Sequence, residues 1–320
     1  MLLLACLLCV LCAGRQNDQW EELTPVEQLQ ERAPGDDNVR PLRPLAQPPH
    51  PRVSTGSTDD LITLQKGDMM VFEWGNSIHA HGHTMIIWEN KQEIEPCSKK
   101  PAQHISVSEC IIPGCSTKFQ YYVSRGDSPV TLYRLRQDVK DRTHILEQLL
   151  SINQKIMTTG KKIPYAYGHR LAGKAATLGL DHHLNDKQMN RLFDEFDTLD
   201  RNFLDPNKFL QALKKALSDS AICSEWTTYL YQYAIWRSVH RARPYETLVK
   251  GSRKRGREKA KVAIEQIMPF YADWVMPWDM TDLNSDKYWT KEMISITYPA
   301  NRDVKSCAAA SNQLMAAPAP

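Results

Sequence analysis

Cys223 stands where a thiol could act as a nucleophile. It follows Ser218, Asp219 and Ser220, which are residue types that commonly cap the start of a helix. The apolar and aromatic side chains after it recur at helical spacing, so the sequence predicts that Cys223 lies in the first turn of a helix. Backbone N–H groups and the helix dipole stabilise a thiolate there. The alternative is a buried cysteine that only packs, as free cysteines often do.

The cysteine count also indicates a free thiol. The apolar start of the chain, residues 1–14, predicts a signal peptide, and therefore a protein that is secreted or held in the lumen of the secretory pathway. Its removal takes three of the eight cysteines and leaves an odd set: Cys97, Cys110, Cys115, Cys223 and Cys307. In an oxidising compartment one of these stays free or bridges to another molecule. Cys110 and Cys115 flank a Pro-Gly turn and could pair locally, but the sequence leaves the pairing open.

A nucleophilic cysteine requires a base, normally a histidine oriented by a third polar group. His83 opens an apolar segment that is typical of a β-strand. We predict a turn at residues 89–91, which pairs Met85 with Glu95 in the returning strand. Glu95 then lies on the same face as His83, about 7 Å away as a diagonal neighbour, where its carboxylate can accept the imidazole N–H. A two-residue turn moves Glu95 to the other face.

A sheet and a set of helices must bring these residues together. From Leu61 to Leu135, short segments rich in β-branched and aromatic residues alternate with Gly, Asn, Pro and Lys, which predicts strands. From about Val139 the apolar periodicity is helical, and further helical regions cover Asn185 to Leu217 and the residues after Cys223. A strand-rich part followed by helices predicts an α+β fold.

Several segments in this order resemble one enzyme family: LQKGDMMVFEWG, HGHTMIIWE, IEP and AICSEWTTYLYQYA. They are similar to those of the permuted papain-like amidases of the YaeF/YiiX type, a circularly permuted branch of the NlpC-like cysteine hydrolases. VTLYRLR, KKIPYAYG and VMPWDM extend the resemblance, which spans roughly Leu61 to Lys291. It implies an antiparallel sheet or half-barrel packed against helices. The stretch from about 171 to 217 is longer than the family needs, which predicts a helical insertion.

The resemblance also implies roles for individual residues. Cys223 becomes the nucleophile, His83 the base and Glu95 the third residue of a catalytic triad. The implied reaction is hydrolysis or acyl transfer at an amide or ester bond through a thioester, with no cofactor and no metal. The backbone N–H of Cys223 is a candidate oxyanion donor. Tyr165 either supplies a second donor or lines the substrate pocket, or it packs as an ordinary tyrosine. The substrate stays open between a peptide, a peptidoglycan fragment and a lipid.

Composition sets the remaining expectations. We predict a Pro-rich extension or pro-segment over 15–58, a catalytic domain over 59–300 and a disordered tail over 301–320. No later apolar stretch is long enough for a transmembrane segment. The formal net charge of +3 is too small to argue for a nucleic-acid partner. The oligomeric state is left open.

Two other functions compete with the cysteine enzyme. His79, His81 and His83 alternate, and on one strand face three imidazoles could hold a catalytic zinc ion. The glycines near these histidines favour a loop, which weakens strict alternation. A papain-like domain can also be a catalytically inactive binding module, in which Cys223 is structural.

Two charged segments also call for interpretation. The sequence around Asp197 resembles an EF-hand, but Lys208 stands where the bidentate glutamate belongs, so we expect a helix–turn–helix that binds calcium poorly at best. The basic run over 250–261 is expected to be a solvated helix face. An anionic glycan or lipid surface is the alternative partner for that run.

Overall fold

The described strands form an antiparallel sheet, with five strands before residue 165 and a sixth near the end of the described chain. Its strands are β1 (Met69–Phe72), β2 (His83–Ile94), β3 (Pro101–Ile111), β4 (Gly114–Leu135), β5 (Ile163–Pro164) and β6 (Trp289–Thr297). Strand β1 pairs with both β2 and β4, so the pairings β1–β2–β3–β4–β1 form a closed circuit. The short β5 and the later β6 both pair with β4.

This computed structural model describes residues 63–72, 82–95, 101–111, 114–166, 182–241, 252–273, 275–277, 279–283 and 287–297. All of them fall within a single unit that runs from Leu61 to Pro320. The signal peptide predicted over 1–14, the extension over 15–58 and the tail over 301–320 lie outside the described residues.

Both faces of β1 are covered by apolar groups, and all four of its residues are buried. Met70 and Phe72 join an apolar cluster formed by strand residues. Met69 and Val71 join a larger cluster that includes the buried residues of the helices. A strand covered on both faces reads as a continuous apolar run rather than as an alternation, which explains the sequence MMVF.

The described residues also form five α-helices: α1 (Arg142–Thr159), α2 (Asp186–Asn202), α3 (Pro206–Ala216), α4 (Cys223–Arg241) and α5 (Ser252–Ile267). A 3₁₀ turn covers Asp279–Asp282. Strands followed by helices confirm the predicted α+β class with an antiparallel sheet. None of the described helices is both long enough and apolar enough to cross a membrane.

Helix α4 is the centre of the molecule. Every residue from 221 to 238 is buried, because the helix packs against β2 and β3 of the sheet and against helices α1 and α5. A helix that is covered all round must carry apolar or hydrogen-bonded side chains on every face. Several of its polar side chains are hydrogen-bonded: the Trp226 indole N–H, for example, donates to Ser108 Oγ at 2.9 Å. The N-terminal end of α4 is thereby fixed against the sheet.

Helices α2 and α3 fall in the segment predicted as a helical insertion. Asn185 caps α2 with a complete capping box, and Asp205 caps α3. The EF-hand-like sequence forms no open loop at Asp197 and Asp200, because α2 remains helical to Asn202. Both carboxylates are instead engaged in ion pairs within the protein, Asp197 with Arg257 and Asp200 with Arg237.

Two cations of the basic run over 250–261 form ion pairs with carboxylates of helix α2 in the insertion. Arg257 on α5 contacts Asp194 at 2.9 Å and Asp197 at 2.5 Å, and Lys261 contacts Asp186 at 2.6 Å. These pairs give the two cations partners inside the chain. Both side chains remain about 30% exposed, so this part of the predicted solvated face also carries ion pairs.

Candidate active site

Cys223 is the first residue of α4, as its sequence context predicts. Two contacts of its neighbours fix this helix start. Glu225 accepts the backbone N–H of Ile222 at 3.3 Å, which is one half of a capping box, and Ser224 Oγ donates to Val275 C=O at 2.7 Å. The thiol is 4% exposed and is the one free cysteine among the residues described.

His83 is the first residue of β2 and lies opposite Phe72 of β1. Gly82, just before it, has a φ of +74°, which only glycine adopts readily. A Cβ on Gly82 would lie 2.9 Å from Phe72 C=O and 2.9 Å from Pro277, so a side chain there would displace the start of the strand. Glycine at position 82 therefore allows the close approach that carries His83 to the helix start.

Glu109 on β3, rather than Glu95, is the carboxylate beside His83. Strand β3 places Glu109 opposite Met85, so Glu109 and His83 are diagonal neighbours across β2 and β3. His83 Nε2 and Glu109 Oε2 are 2.7 Å apart, and Glu109 is completely buried. The hydroxyl of Tyr121 on β4 donates to the second carboxylate oxygen, Oε1.

The predicted pairing of Glu95 with His83 is wrong. No turn forms at 89–91, because β2 continues to Ile94 and pairs with β3 through this stretch, including Asn90 with Ile105. Glu95 follows the far end of β2, roughly 40 Å of extended chain from His83 at strand rise. It lies near Tyr122 instead. The diagonal geometry expected of Glu95 is occupied by Glu109.

The thiol and the imidazole shift each other's ionisation. Burial opposes a charge on His83, but the thiolate of Cys223 and the carboxylate of Glu109 outweigh it and raise the pKa of His83 to about 10. Burial by itself raises the pKa of the Cys223 thiol, yet the His83 cation and backbone N–H groups of Thr84 and Ser224 lower it. The arrangement favours a thiolate–imidazolium pair.

The ring of His83 has two partners. Nε2 is bonded to Glu109, and a side-chain hydrogen bond links the ring to Cys223. A histidine held between a carboxylate and a thiol has a fixed ring orientation, and it can take a proton from the sulfur and later return one.

Tyr165 lies beside the approach to the helix. It forms a parallel bridge with Ala221, two residues before the nucleophile, and Ala166 N–H donates to Ala221 C=O at 2.9 Å. The Tyr165 side chain is partly buried against Ile222 and Met276. Tyr165 therefore adjoins the candidate site while it packs as part of a small apolar cluster.

A disulfide braces the other side of the helix start. The Cys110 and Cys115 sulfurs lie at bonding distance across the turn between β3 and β4. Cys110 follows Glu109 directly, and its sulfur lies 3.1 Å from Ala221 C=O. This is the local pairing that the Pro-Gly turn allowed. Cys97 and Cys307 lie outside the described residues.

Sequence reasoning missed Glu109 and Tyr121. In the strand sequence ISVSECI, a glutamate on the same side as Ile105 and Val107 would be buried, and a buried carboxylate needs partners. That pattern was the available signal for Glu109. Tyr121 offered none, because a tyrosine in a strand is ordinary.

A second histidine–carboxylate pair, with a buried histidine and a partly buried aspartate, was also missed. His182 Nδ1 lies 2.7 Å from Asp279 Oδ2, and the same oxygen accepts the backbone N–H of Met276 at 2.7 Å. Asp279 belongs to the segment VMPWDM, in which no residue was assigned an individual role.

Of the three histidines that could hold a zinc ion, only His83 is among the described residues. His79 and His81 lie outside the described residues, and His83 is bonded to Glu109 and Cys223. Within the described ranges, no group of three or more His, Cys, Asp or Glu side chains could hold a metal ion.

Comparisons of the chain with protein-family models, with curated proteins and with solved structures found no match. The resemblance to the permuted papain-like amidases therefore depends on the sequence motifs, and the site has to be judged on its own geometry.

Proposed function

We propose that this protein is a cysteine-dependent hydrolase or acyltransferase that acts on an amide or ester bond through a thioester intermediate. Cys223 is the nucleophile and His83 is the base. Glu109 replaces Glu95 as the residue that orients His83.

One observation supports this proposal above all others: a free thiol at a helix start shares a histidine with a fully buried carboxylate. The three groups come from α4, β2 and β3, which are far apart in the sequence. A cysteine that only packs has no need of a charged partner, and burying charged groups without a role is costly.

The first half of the reaction forms the thioester. The Cys223 thiolate attacks the carbonyl carbon, a C–S bond forms, and the carbonyl electron pair moves onto oxygen. The backbone N–H of Cys223 points out of the first helical turn, where it has no intrahelical partner, and can donate to that oxyanion. As the tetrahedral intermediate collapses, the His83 imidazolium gives its proton to the leaving nitrogen or oxygen, and the C–N or C–O bond breaks.

The second half removes the acyl group. Neutral His83 takes a proton from water, or from an acceptor alcohol or amine, whose oxygen or nitrogen attacks the thioester carbonyl. The C–S bond breaks, Cys223 leaves as a thiolate, and His83 is again the cation. Glu109 keeps the ring aligned in both halves and stabilises its positive form.

The element order supports the family resemblance. In the permuted papain-like scheme the histidine strand precedes the cysteine helix, and here β2 and β3 both precede α4. Sheet strands pack directly against that helix through Thr84, whose hydroxyl lies 3.1 Å from Thr227 Oγ1. A permuted papain-like fold with α2 and α3 as an insertion is the architecture we propose.

The decisive experiment replaces Cys223 by Ala and screens amide, ester and lipid substrates against the wild type. We expect activity to vanish, and Cys223→Ser to be equally inactive on amides, because a serine lacks the lowered pKa of the thiol. Circular dichroism and thermal unfolding of both variants control for folding. Unchanged turnover in Cys223→Ala would end the proposal.

Thiol labelling separates an enzyme from an inactive binding module. Iodoacetamide should alkylate Cys223 in the native protein near neutral pH, since the thiolate is the reactive form. A cysteine that reacts only after denaturation is structural, and that result would favour the binding module.

A further inference from the structure

We propose that Tyr121 is a positioning residue for the reaction, acting through Glu109 on His83 and thus on Cys223. This inference rests on the proposed function and extends its triad to a fourth residue on a third strand.

Glu109 has two carboxylate oxygens and the structure assigns each a separate donor. His83 Nε2 lies 2.7 Å from Oε2, and the Tyr121 hydroxyl donates to Oε1. Since Glu109 is completely buried, no water shell compensates for a missing donor. A carboxylate with one donor can rotate about its terminal bond, whereas two donors on opposite oxygens fix its plane.

The strand register explains how Tyr121 reaches this carboxylate. Ile105, Val107 and Glu109 alternate along one face of β3, and Tyr121 pairs with Ile105 from the neighbouring strand β4. The ring of Tyr121 packs against the apolar cluster on that face. The ring is therefore held by packing, and the hydroxyl is presented to Glu109.

Within the described ranges, two side chains are hydrogen-bonded to the carboxylate of Glu109. His83 of β2 and Tyr121 of β4 contact its carboxylate, and His83 in turn faces Cys223 of α4. A change at Tyr121 is therefore transmitted to the thiol through one carboxylate and one imidazole. This makes thiol reactivity a suitable measurement even before a substrate is known.

The neighbouring residue supplies a matched control. Tyr122 points to the other face of β4, where its hydroxyl donates to the surface carboxylate of Glu93 at 3.2 Å. Tyr121→Phe and Tyr122→Phe remove the same atom from adjacent residues. Only the first change affects a carboxylate that touches His83.

The experiment measures the rate at which iodoacetamide alkylates Cys223 from pH 5 to 9 in the full-length protein. We expect Tyr121→Phe to slow alkylation below neutral pH by about tenfold, the scale of losing a hydrogen bond to a buried charge. Tyr122→Phe should match the wild type within about twofold. Equal rates in the two variants would overturn the proposal.

A double-mutant cycle with Glu109→Gln tests the route. If Tyr121 acts through Glu109, adding Tyr121→Phe to Glu109→Gln should slow alkylation less than about twofold further. A full tenfold loss in that background would show that Tyr121 acts by another path and would overturn the proposal.

A third measurement keeps the test valid if Tyr121→Phe does not fold. With 3-fluorotyrosine at position 121 the hydroxyl is retained, and the fluorine resonance should move when Glu109 is replaced by Gln. An unchanged resonance would overturn the proposal. If Cys223→Ala abolishes turnover while these tests fail, the proposed function stands and only the role of Tyr121 falls.

Discussion

Two histidine–carboxylate pairs in this protein have the same length and different surroundings. His83–Glu109 and His182–Asp279 both measure 2.7 Å, and both imidazoles are about 4% exposed. His83 is bonded to its carboxylate through Nε2 and its ring also contacts the Cys223 thiol, whereas His182 is bonded to its carboxylate through Nδ1.

The neighbours of the second pair suggest a structural task. His182 C=O accepts the Tyr271 N–H at 2.6 Å, and Asp279 also accepts the Met276 N–H. The pair thereby ties together the segments that flank Val275, whose C=O accepts the Ser224 hydroxyl. Among the described residues, the free thiol of Cys223 lies beside the first pair, whereas the second pair joins backbone segments, so we assign the proposed catalytic role to the first pair alone.

The largest expected effect separates the two histidines by activity. His83→Gln should reduce kcat/KM by about 10²- to 10⁴-fold, because it removes the general base and the proton donor for the leaving group. His182→Gln should change kcat/KM by less than about threefold in folded protein. Steady-state kinetics on the substrate found by screening gives both values. Equal losses would mean that both pairs serve catalysis, which would contradict the different roles assigned to them.

The next effect is the pH dependence of the thiol. Because His83 lowers the pKa of Cys223, alkylation should persist as the pH falls below the range of an ordinary thiol and fail only below that lowered pKa. In His83→Gln the thiol stays buried, which raises its pKa, but it loses the cation that lowers it. At a given acidic pH, alkylation should therefore slow by about tenfold for each unit by which the pKa of the thiol rises. His182→Gln should leave the profile in place.

The alkaline limb of the pH profile distinguishes the ionisation of the Cys223 thiol from that of the His83 imidazolium. His83 should lose its proton near its pKa of about 10. Above that pH the thiolate persists, so alkylation continues, while turnover falls because no imidazolium remains to protonate the leaving group. Alkylation and kcat are measured over the same alkaline pH range. A parallel fall of both would contradict this prediction.

A smaller effect concerns stability. Asp279→Ala should lower the free energy of unfolding by about 1–3 kcal/mol, because it leaves the buried His182 and the Met276 N–H without this acceptor. Denaturant unfolding measures this value. Glu109→Gln, which keeps an acceptor for His83, should destabilise less and inactivate more. The reverse order would contradict the structural assignment of His182–Asp279.

The smallest effect belongs to the surface pairs of the insertion. Arg257→Ala removes contacts to Asp194 and Asp197, yet Arg257 is 30% exposed and partly screened by solvent. We expect a loss of less than about 1 kcal/mol, declining further at high salt, because exposed ion pairs contribute little. Thermal unfolding at low and high ionic strength checks it, with Lys259→Ala on the exposed side of α5 as control.

Local patterns predicted much of the framework. The α+β class follows from segments rich in β-branched and aromatic residues that precede helical ones, and the place of Cys223 in a first helical turn follows from the helical spacing of the aromatic residues after it. These signals extend over about one turn or one strand, which is the range over which propensity and periodicity act.

The triad partner could not be predicted in the same way. Glu95 and Glu109 are both glutamates that follow His83 in strand-like sequence, and the choice between them depends on whether residues 89–91 turn or continue. Strand β3 decides it, since its backbone pairs with that stretch and outweighs the turn propensity of Asn90.

The chemical groups and their local settings can be read from the amino-acid sequence: a thiol at a helix start, a histidine at a strand start and a Pro-Gly turn between two cysteines. Which carboxylate contacts the histidine depends on the tertiary structure, because Glu109 lies 26 residues from His83 and reaches it through a register between separate strands. Strand register is set by the burial of whole faces and by backbone pairing, so it cannot be predicted from any single residue.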